Sequence, residues 1–146
     1  MELIVVGVDG SKGADRAVRW SAELAIETSA RVLAVFAVPR VETWNRAVLV
    51  TDTGLIARQL RALLRGPWTE PLRQAGVAHK TRVVRGDPAE QLLRVADERD
   101  ADVIVIGAKS HGNLHDVILG GTAHKVANST HRPVVLVPTP TPTNAS

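Results

Sequence analysis

An α/β fold with a parallel sheet is predicted by three features of the chain. Four short apolar runs, residues 3–8, 32–38, 103–106 and 134–137, are nearly continuous instead of alternating. Strands buried on both faces have that pattern. Helical periodicity fills most of the sequence between them, and strands alternating with helices give βαβ units with right-handed crossovers. Finally, 45% of the 146 residues are hydrophobic, yet just four are aromatic: Trp20, Phe36, Trp44 and Trp68. The core must therefore be built from Val, Leu, Ile and Ala, the usual filling of a buried parallel sheet.

The elements follow in order. The first run ends on Asp9-Gly10-Ser11, which reads as a turn and a helix N-cap. A helix is expected over residues 14–27, where Ala17, Val18, Ser21, Ala22, Leu24 and Ala25 share one face. After the second run, residues 51–76 are mainly helical in pattern, through Leu55, Leu60, Leu63 and Leu64. Gly66-Pro67 and Pro71 should break or restart that helix, because proline inside a helix costs about 3 kcal/mol. Residues 79–85, H-K-T-R-V-V-R, are more polar and suit an edge strand. Asp87 then caps a helix over 89–99, with Pro88 at its first position and Glu90 completing a D-x-x-E capping box. The fourth run leads into G-A-K-S-H-G-N-L-H-D-V-I-L-G-G-T, residues 107–122, and a short helix over 122–128. The ending P-T-P-T-P-T-N-A-S has too little apolar content to fold. One domain over residues 1–138 and a disordered tail over 139–146 are expected.

Composition removes several function classes. With no cysteine, disulfides and thiolate metal sites are excluded. No apolar stretch approaches the roughly 20 residues that span a bilayer. The start has neither a basic n-region nor a small-residue cleavage site, so a cytoplasmic location is expected. The net charge of +3, from 18 basic and 15 acidic side chains, is scattered along the chain. Neither a nucleic acid nor a membrane is expected as a partner.

Chemistry concentrates at two strand ends. In open α/β sheets, ligands bind beyond the carboxyl ends of strands where the strand order reverses. In the segment 107–122, glycines near Gly107 to Gly112 allow backbone N–H groups to turn inward as a nest. Gly120-Gly121-Thr122 opens a helix whose unpaired N–H groups and dipole favour a phosphate. Asp9 is an acceptor for a ribose hydroxyl or an adenine-side donor. The same residues also read as an ordinary strand-to-helix connection and as a turn with a cap. Lys109 could reach a phosphate, His111 neighbours the loop, and Asp116 could help hold Mg²⁺. His111 and His115 have zinc spacing only if helical, and no H-E-x-x-H accompanies them, so no metal site is expected. No Walker A motif and no Ser-His-Asp arrangement is present, so catalytic residues are not assigned.

In this order the motifs resemble the universal stress protein family over residues 3–138. V-G-V-D-G-S with A-V-R-W-S-A-E-L-A is similar to the family's first strand and helix. R-G-D-P-A-E-Q-L-L with D-A-D-V-I-V-I-G is similar to its third-helix and fourth-strand block, and H-R-P-V-V-L-V-P to its last strand. The glycine segment resembles the loop G-x2-G-x9-G-[ST] of the ATP-binding members, at Gly107, Ser110, Gly120 and Gly121. The resemblance implies a three-layer α/β sandwich, Rossmann-like and similar to the adenine nucleotide alpha hydrolases. Its five-stranded parallel sheet would have the order 3-2-1-4-5, which makes strands 1 and 4 neighbours. It further implies ATP, with or without Mg²⁺, or another adenine nucleotide as ligand. Asp9 would meet the adenosine end and Ala37 the adenine edge, with Val8 and Val38 as apolar walls. Gly107 would lie by the ribose, and Gly120, Gly121 and Thr122 around the phosphates. Gly10, Ser11, Lys109, Ser110, His111 and Gly112 complete the expected contact set.

Two positions depart from the pattern: serine stands at 110 and glycine at 121. If position 110 requires φ > 0, serine costs on the order of 1 kcal/mol there relative to glycine. Gly121 lacks a hydroxyl, which Thr122 could supply from the next position. The expected function is a stress-response module that binds an adenine nucleotide, with slow ATP hydrolysis at most. The alternative is a family member without nucleotide, acting as a dimeric protein-interaction module. An enzyme on an adenylated substrate is disfavoured for want of a nucleophile. The exposed last strand, from Val134 to Val137, would pair with its twin in a homodimer, as the family commonly does.

Overall fold

Five parallel strands form the middle layer of the computed structural model, which describes residues 1–38, 53–110, 117–118 and 120–139. In chain order the elements are β1 (Leu3–Gly7), α1 (Lys12–Thr28), β2 (Arg31–Val38) and α2 (Thr53–Arg65). A 3₁₀ turn (Pro67–Thr69), α3 (Glu70–Gln74), β3 (His79–Arg85), α4 (Pro88–Glu98) and β4 (Val103–Ser110) follow. The chain continues through β5 (Val117–Ile118), α5 (Gly121–Ser129) and β6 (Val134–Pro138). The parallel order is β3-β2-β1-β4-β6, which is 3-2-1-4-5 when the five parallel strands are counted in sequence. β1 lies between β2 and β4, with Val6 opposite both Ala34 and Val105.

The continuous apolar runs are explained by the two layers that cover the sheet. Ile4, Val6 and Val8 join Ala17, Val18 and Ala22 of α1 in one core, together with Leu64 and Leu72. Leu3 and Val5 point the other way, to Leu92, Val95 and Ala96 of α4 and Val126 of α5. Each residue in the strand thus has a helix above or below it. Full burial of such a side chain stabilises by about 1.5–3 kcal/mol, so both faces must be apolar. β3 at the sheet edge keeps only partial burial, in line with its polar sequence.

Local signals act where they were expected. The Asp87 carboxylate accepts from the Glu90 N–H at 3.1 Å, and Pro88 opens α4. The long helical segment breaks at Gly66-Pro67 and restarts as α3 with Pro71 in its first turn. Two boundaries move. α1 starts at Lys12, two residues before the expected point, because Ser11 already caps it by accepting from Ala14 N–H at 3.1 Å. β4 runs four residues past Ile106, to Ser110. It pairs with β6 as far as Ala108 opposite Pro138, and β5 folds back antiparallel on Lys109 and Ser110. Residues 107–110 therefore form strand, not the first half of an inward-turned nest. Among the described residues no helix is long and apolar enough to cross a membrane.

Candidate functional site

β1 and β4 lie side by side, yet the chain leaves them for opposite halves of the sheet. β1 leads through α1 to β2, and β4 leads towards β6. Their carboxyl ends therefore cannot be bridged by one connection, and a crevice opens above them. Its volume is about 420 Å³, within the range of small-molecule sites. Three walls meet there: the turn after β1, the end of β4, and the start of α5.

The first wall is Val8, Asp9 and Ser11. Asp9 Oδ1 accepts from the Ser11 N–H at 2.9 Å, closing a tight side-chain turn. The turn and cap reading is therefore correct, and it leaves Asp9 Oδ2 without a partner among the described residues. An acceptor remains at the crevice mouth.

The second wall is Gly107. Its backbone is extended, so its value here is not conformational freedom. A Cβ on Gly107 would lie 2.4 Å from the Gly13 carbonyl oxygen and 3.0 Å from Ala14 N. The first turn of α1 sits directly on β4, and only glycine permits it. That close approach brings the start of α1 beside the strand end that faces α5.

The third wall is Gly120, Gly121 and Thr122. Gly120 is the N-cap of α5, with φ −63° and ψ 167°, and no side chain caps the helix. The first bond of the helix runs from His124 N–H to Gly120 O at 3.0 Å. The N–H groups of Gly121, Thr122 and Ala123 precede it and have no partner among the described residues. These three residues line the crevice, so the positive end of the helix dipole opens there.

Of the expected contact residues, Val8, Asp9, Ser11, Ala37, Gly107, Gly120, Gly121 and Thr122 come together in this crevice. Gly10 faces an adjoining cavity instead. Val38 is outside the lining, at the β2–β3 junction, where its carbonyl accepts from Gly86 N–H at 2.9 Å. Of Lys109 and Ser110 only the strand backbone is described, and Ser110 is extended opposite Val117. An extended position accepts serine, so the cost expected for φ > 0 does not arise. His111, Gly112, His115 and Asp116 lie outside the described residues, as does Trp44. Among the described residues, no group of three or more His, Asp or Glu could hold a metal ion.

Several lining residues had no sequence signal. Lys12 and Gly13 were hidden by the early start of α1. Lys12 is exposed and makes no ion pair among the described residues, which leaves its ammonium available to an anion at the crevice. Thr139, assigned above to the tail, lines the crevice and donates its N–H to Ala108 O at 3.3 Å. Pro88 and Leu92 bring α4 to the rim. There, the Glu90 backbone N–H holds the Asp87 carboxyl below its ordinary value, opposed by desolvation and helped by Lys125, whose Nζ is 3.3 Å away.

Comparison with known proteins agrees with this geometry. The model of the universal stress protein family matches residues 1–138. A universal stress protein of Methanocaldococcus jannaschii is 27% identical, with 94% of this chain and 82% of that relative aligned. Among solved structures, the universal stress protein of Archaeoglobus fulgidus is similar with a TM-score of 0.74 and 25% identity, covering 94% of this chain and 98% of that one. A universal stress protein solved in complex with cAMP has a TM-score of 0.72 and 26% identity, covering 95% and 98%.

Proposed function

The chain belongs to the universal stress protein family, and on that premise we propose that its crevice binds an adenine nucleotide, ATP above all. The observation that carries this reading is the meeting of two unlike groups across about 420 Å³: the free oxygen of Asp9 and the uncapped start of α5. A carboxylate suits the hydroxyls of a ribose or the amino edge of a base. A helix N-terminus with free N–H groups suits phosphate. A nucleoside phosphate has both ends on one molecule. That a similar universal stress protein was solved in complex with cAMP supports an adenine nucleotide as the ligand. Lys12 adds charge complementarity on the phosphate side.

In this reading the protein is a cytoplasmic stress-response module, whose domain spans residues 1–138 and whose tail spans 139–146. It binds and holds ATP without fast turnover. Mg²⁺ enters with the phosphates as their chelate. Two copies pair through β6, which among the described residues pairs as a strand only with β4 and leaves Val134, Val135 and Leu136 partly exposed. Such an edge is a template for a second strand.

Isothermal titration with ATP and Mg²⁺ tests the reading. Saturable binding that Asp9→Ala weakens at least tenfold is expected. Absence of heat and of competition at millimolar nucleotide overturns it.

A further inference from the structure

A second cavity of about 500 Å³ adjoins the crevice at the turn after β1 and shares Val8, Ser11, Lys12 and Thr139 with it. Gly10, Asp15, Arg16, Pro67 and Trp68 line this space and not the crevice. The nucleotide assigned above uses Asp9 and the α5 start, and neither lines the second space. An occupant here is therefore a separate ligand. Its aromatic wall is Trp68, half-buried and held from two directions. A Cβ on Gly10, whose φ is +81°, would lie 2.5 Å from Trp68 Cζ2, so the indole rests on bare backbone. Phe36 packs on it as well, with ring centroids 5.5 Å apart at 49°. A tryptophan fixed in this way offers aromatic surface with little left to order on binding.

The charge of the lining is positive. Arg16, one turn along α1 from Lys12, donates its Nε to Pro138 O at 3.3 Å. That bond anchors the side chain. Its terminal nitrogens make no hydrogen bond or ion pair among the described residues. Lys12 lines this space too, although it also belongs to the crevice. The two cations outweigh Asp15, whose carboxylate is engaged by Arg19 at 2.8 Å. A held indole and an anchored guanidinium with unused donors thus line one cavity.

We propose that this cavity is a second ligand site, for a small aromatic carboxylate. The ring packs on Trp68 with Val8 and Pro67 beside it, and the carboxylate takes the terminal nitrogens of Arg16. A guanidinium presents two parallel donors that match the two oxygens of a carboxylate. Arg16 and not Lys12 is the anchor, because the crevice shares Lys12 and does not reach Arg16. Small-molecule sites commonly combine an apolar, aromatic lining with a few placed polar groups, and the volume suits one or two fused rings. A neutral aromatic molecule leaves the guanidinium unanswered, and a saturated acid leaves the indole without an aromatic partner.

The test titrates the intact protein with naphthoate, its uncharged amide and its saturated counterpart, decalin carboxylate, by calorimetry and by NMR. Naphthoate is expected to bind one per chain and to shift the indole N–H resonance of Trp68, identified by its absence in Trp68→Phe. The amide should bind at least about tenfold more weakly, the effect of a lost charge-assisted hydrogen bond. The saturated acid should bind more weakly as well. Arg16→Gln, an exposed substitution on α1, should weaken naphthoate about tenfold and leave ATP affinity within about twofold. Trp68→Phe, which keeps a ring on Gly10 and guards against loss of folding, should retain part of the naphthoate affinity. No saturable naphthoate binding at millimolar concentration overturns the proposal. So does equal binding of the amide, or a response at the Gly107 and Gly121 amides in place of Trp68. ATP is titrated separately, so the nucleotide reading stands or falls on its own result.

Discussion

Two helix starts meet at the crevice, and they are built in opposite ways. At α1, Ser11 Oγ takes the Ala14 N–H, Asp9 takes the Ser11 N–H, and Gly13 is pressed on Gly107. One of its orphan N–H groups is thus met by a side-chain cap, and its backbone has no room to shift. At α5, a glycine occupies the cap position, no side chain answers the free N–H groups, and a Cβ on Gly121 would meet nothing within 4 Å. A helix start with unmet donors is a cost in an isolated fold. The cost is tolerated where an outside anion supplies the missing acceptors. One start is therefore fold and the other is site, although both are glycine-containing turns after a buried strand.

The largest test of that difference is a pair of alanines. Gly107→Ala forces a methyl group into the Gly13 carbonyl, backbone against backbone, with no flexible side chain to yield. It should lower unfolding free energy by about 3 kcal/mol, the upper end for overpacking. Gly121→Ala enters open space at the first helical position and should change stability by less than about 0.5 kcal/mol. Urea unfolding of the two variants checks both numbers. Similar losses in the two would erase the distinction.

A second test separates the roles by ligand affinity. Gly120→Asp gives α5 the cap it lacks, and glycine-to-aspartate at an N-cap changes stability by only a few tenths of a kcal/mol. The same carboxylate occupies the free N–H groups and repels phosphate. ATP affinity should therefore fall at least tenfold, about 1.4 kcal/mol, with the unfolding midpoint nearly unchanged. Unaltered affinity would mean that the α5 start is not the anion contact. The milder Gly121→Ser restores the family's hydroxyl at that position and should tighten ATP binding if the phosphate lies there.

The same contrast shows what could be read from the residues alone. The strands were legible because each is covered on both sides, so Ile4 and Val5 had to be apolar together. The α4 start was legible because its cap, Asp87-Pro88 with Glu90, is local and written in one stretch. Asp9 and Gly120–Thr122 were legible as chemistry, and the family resemblance supplied the neighbouring of β1 and β4. The reason for Gly107 was not legible. Its constraint is a contact with Gly13, 94 positions away, and a glycine excluded by a distant backbone looks the same in sequence as one that turns a loop. Lys12 and Thr139 were missed for a similar reason. A lysine at a helix start and a threonine before prolines have no pattern of their own until the fold brings them to one crevice. Trp68 stands out in sequence only as one of four aromatic residues, and its seat on Gly10 depends on where the broken helix restarts.

The third helix start, at α4, sharpens the comparison through pH. Its cap is the only titratable one of the three, since Ser11 is a hydroxyl and Gly120 has no side chain. The Glu90 backbone N–H and Lys125 lower the folded-state pKa of Asp87. A lowered folded pKa means stabilisation that is complete above the unfolded value, near 4, and lost as pH falls through the folded one. Glu98, held low by Arg82 and Arg94, and Asp102, held low by the N–H groups of Leu3 and Glu2, have the same sign. Acid sensitivity alone therefore does not identify the cap. The difference between wild type and Asp87→Asn does, because asparagine keeps a capping oxygen but neither the charge nor the proton equilibrium. Wild type should be more stable than Asp87→Asn at neutral pH by a margin that shrinks as pH falls below about 4. Unfolding midpoints of the two proteins across that range measure it. A constant margin would show that the carboxylate acts through shape alone, and would place the α4 start with α1 as a neutral, self-contained cap.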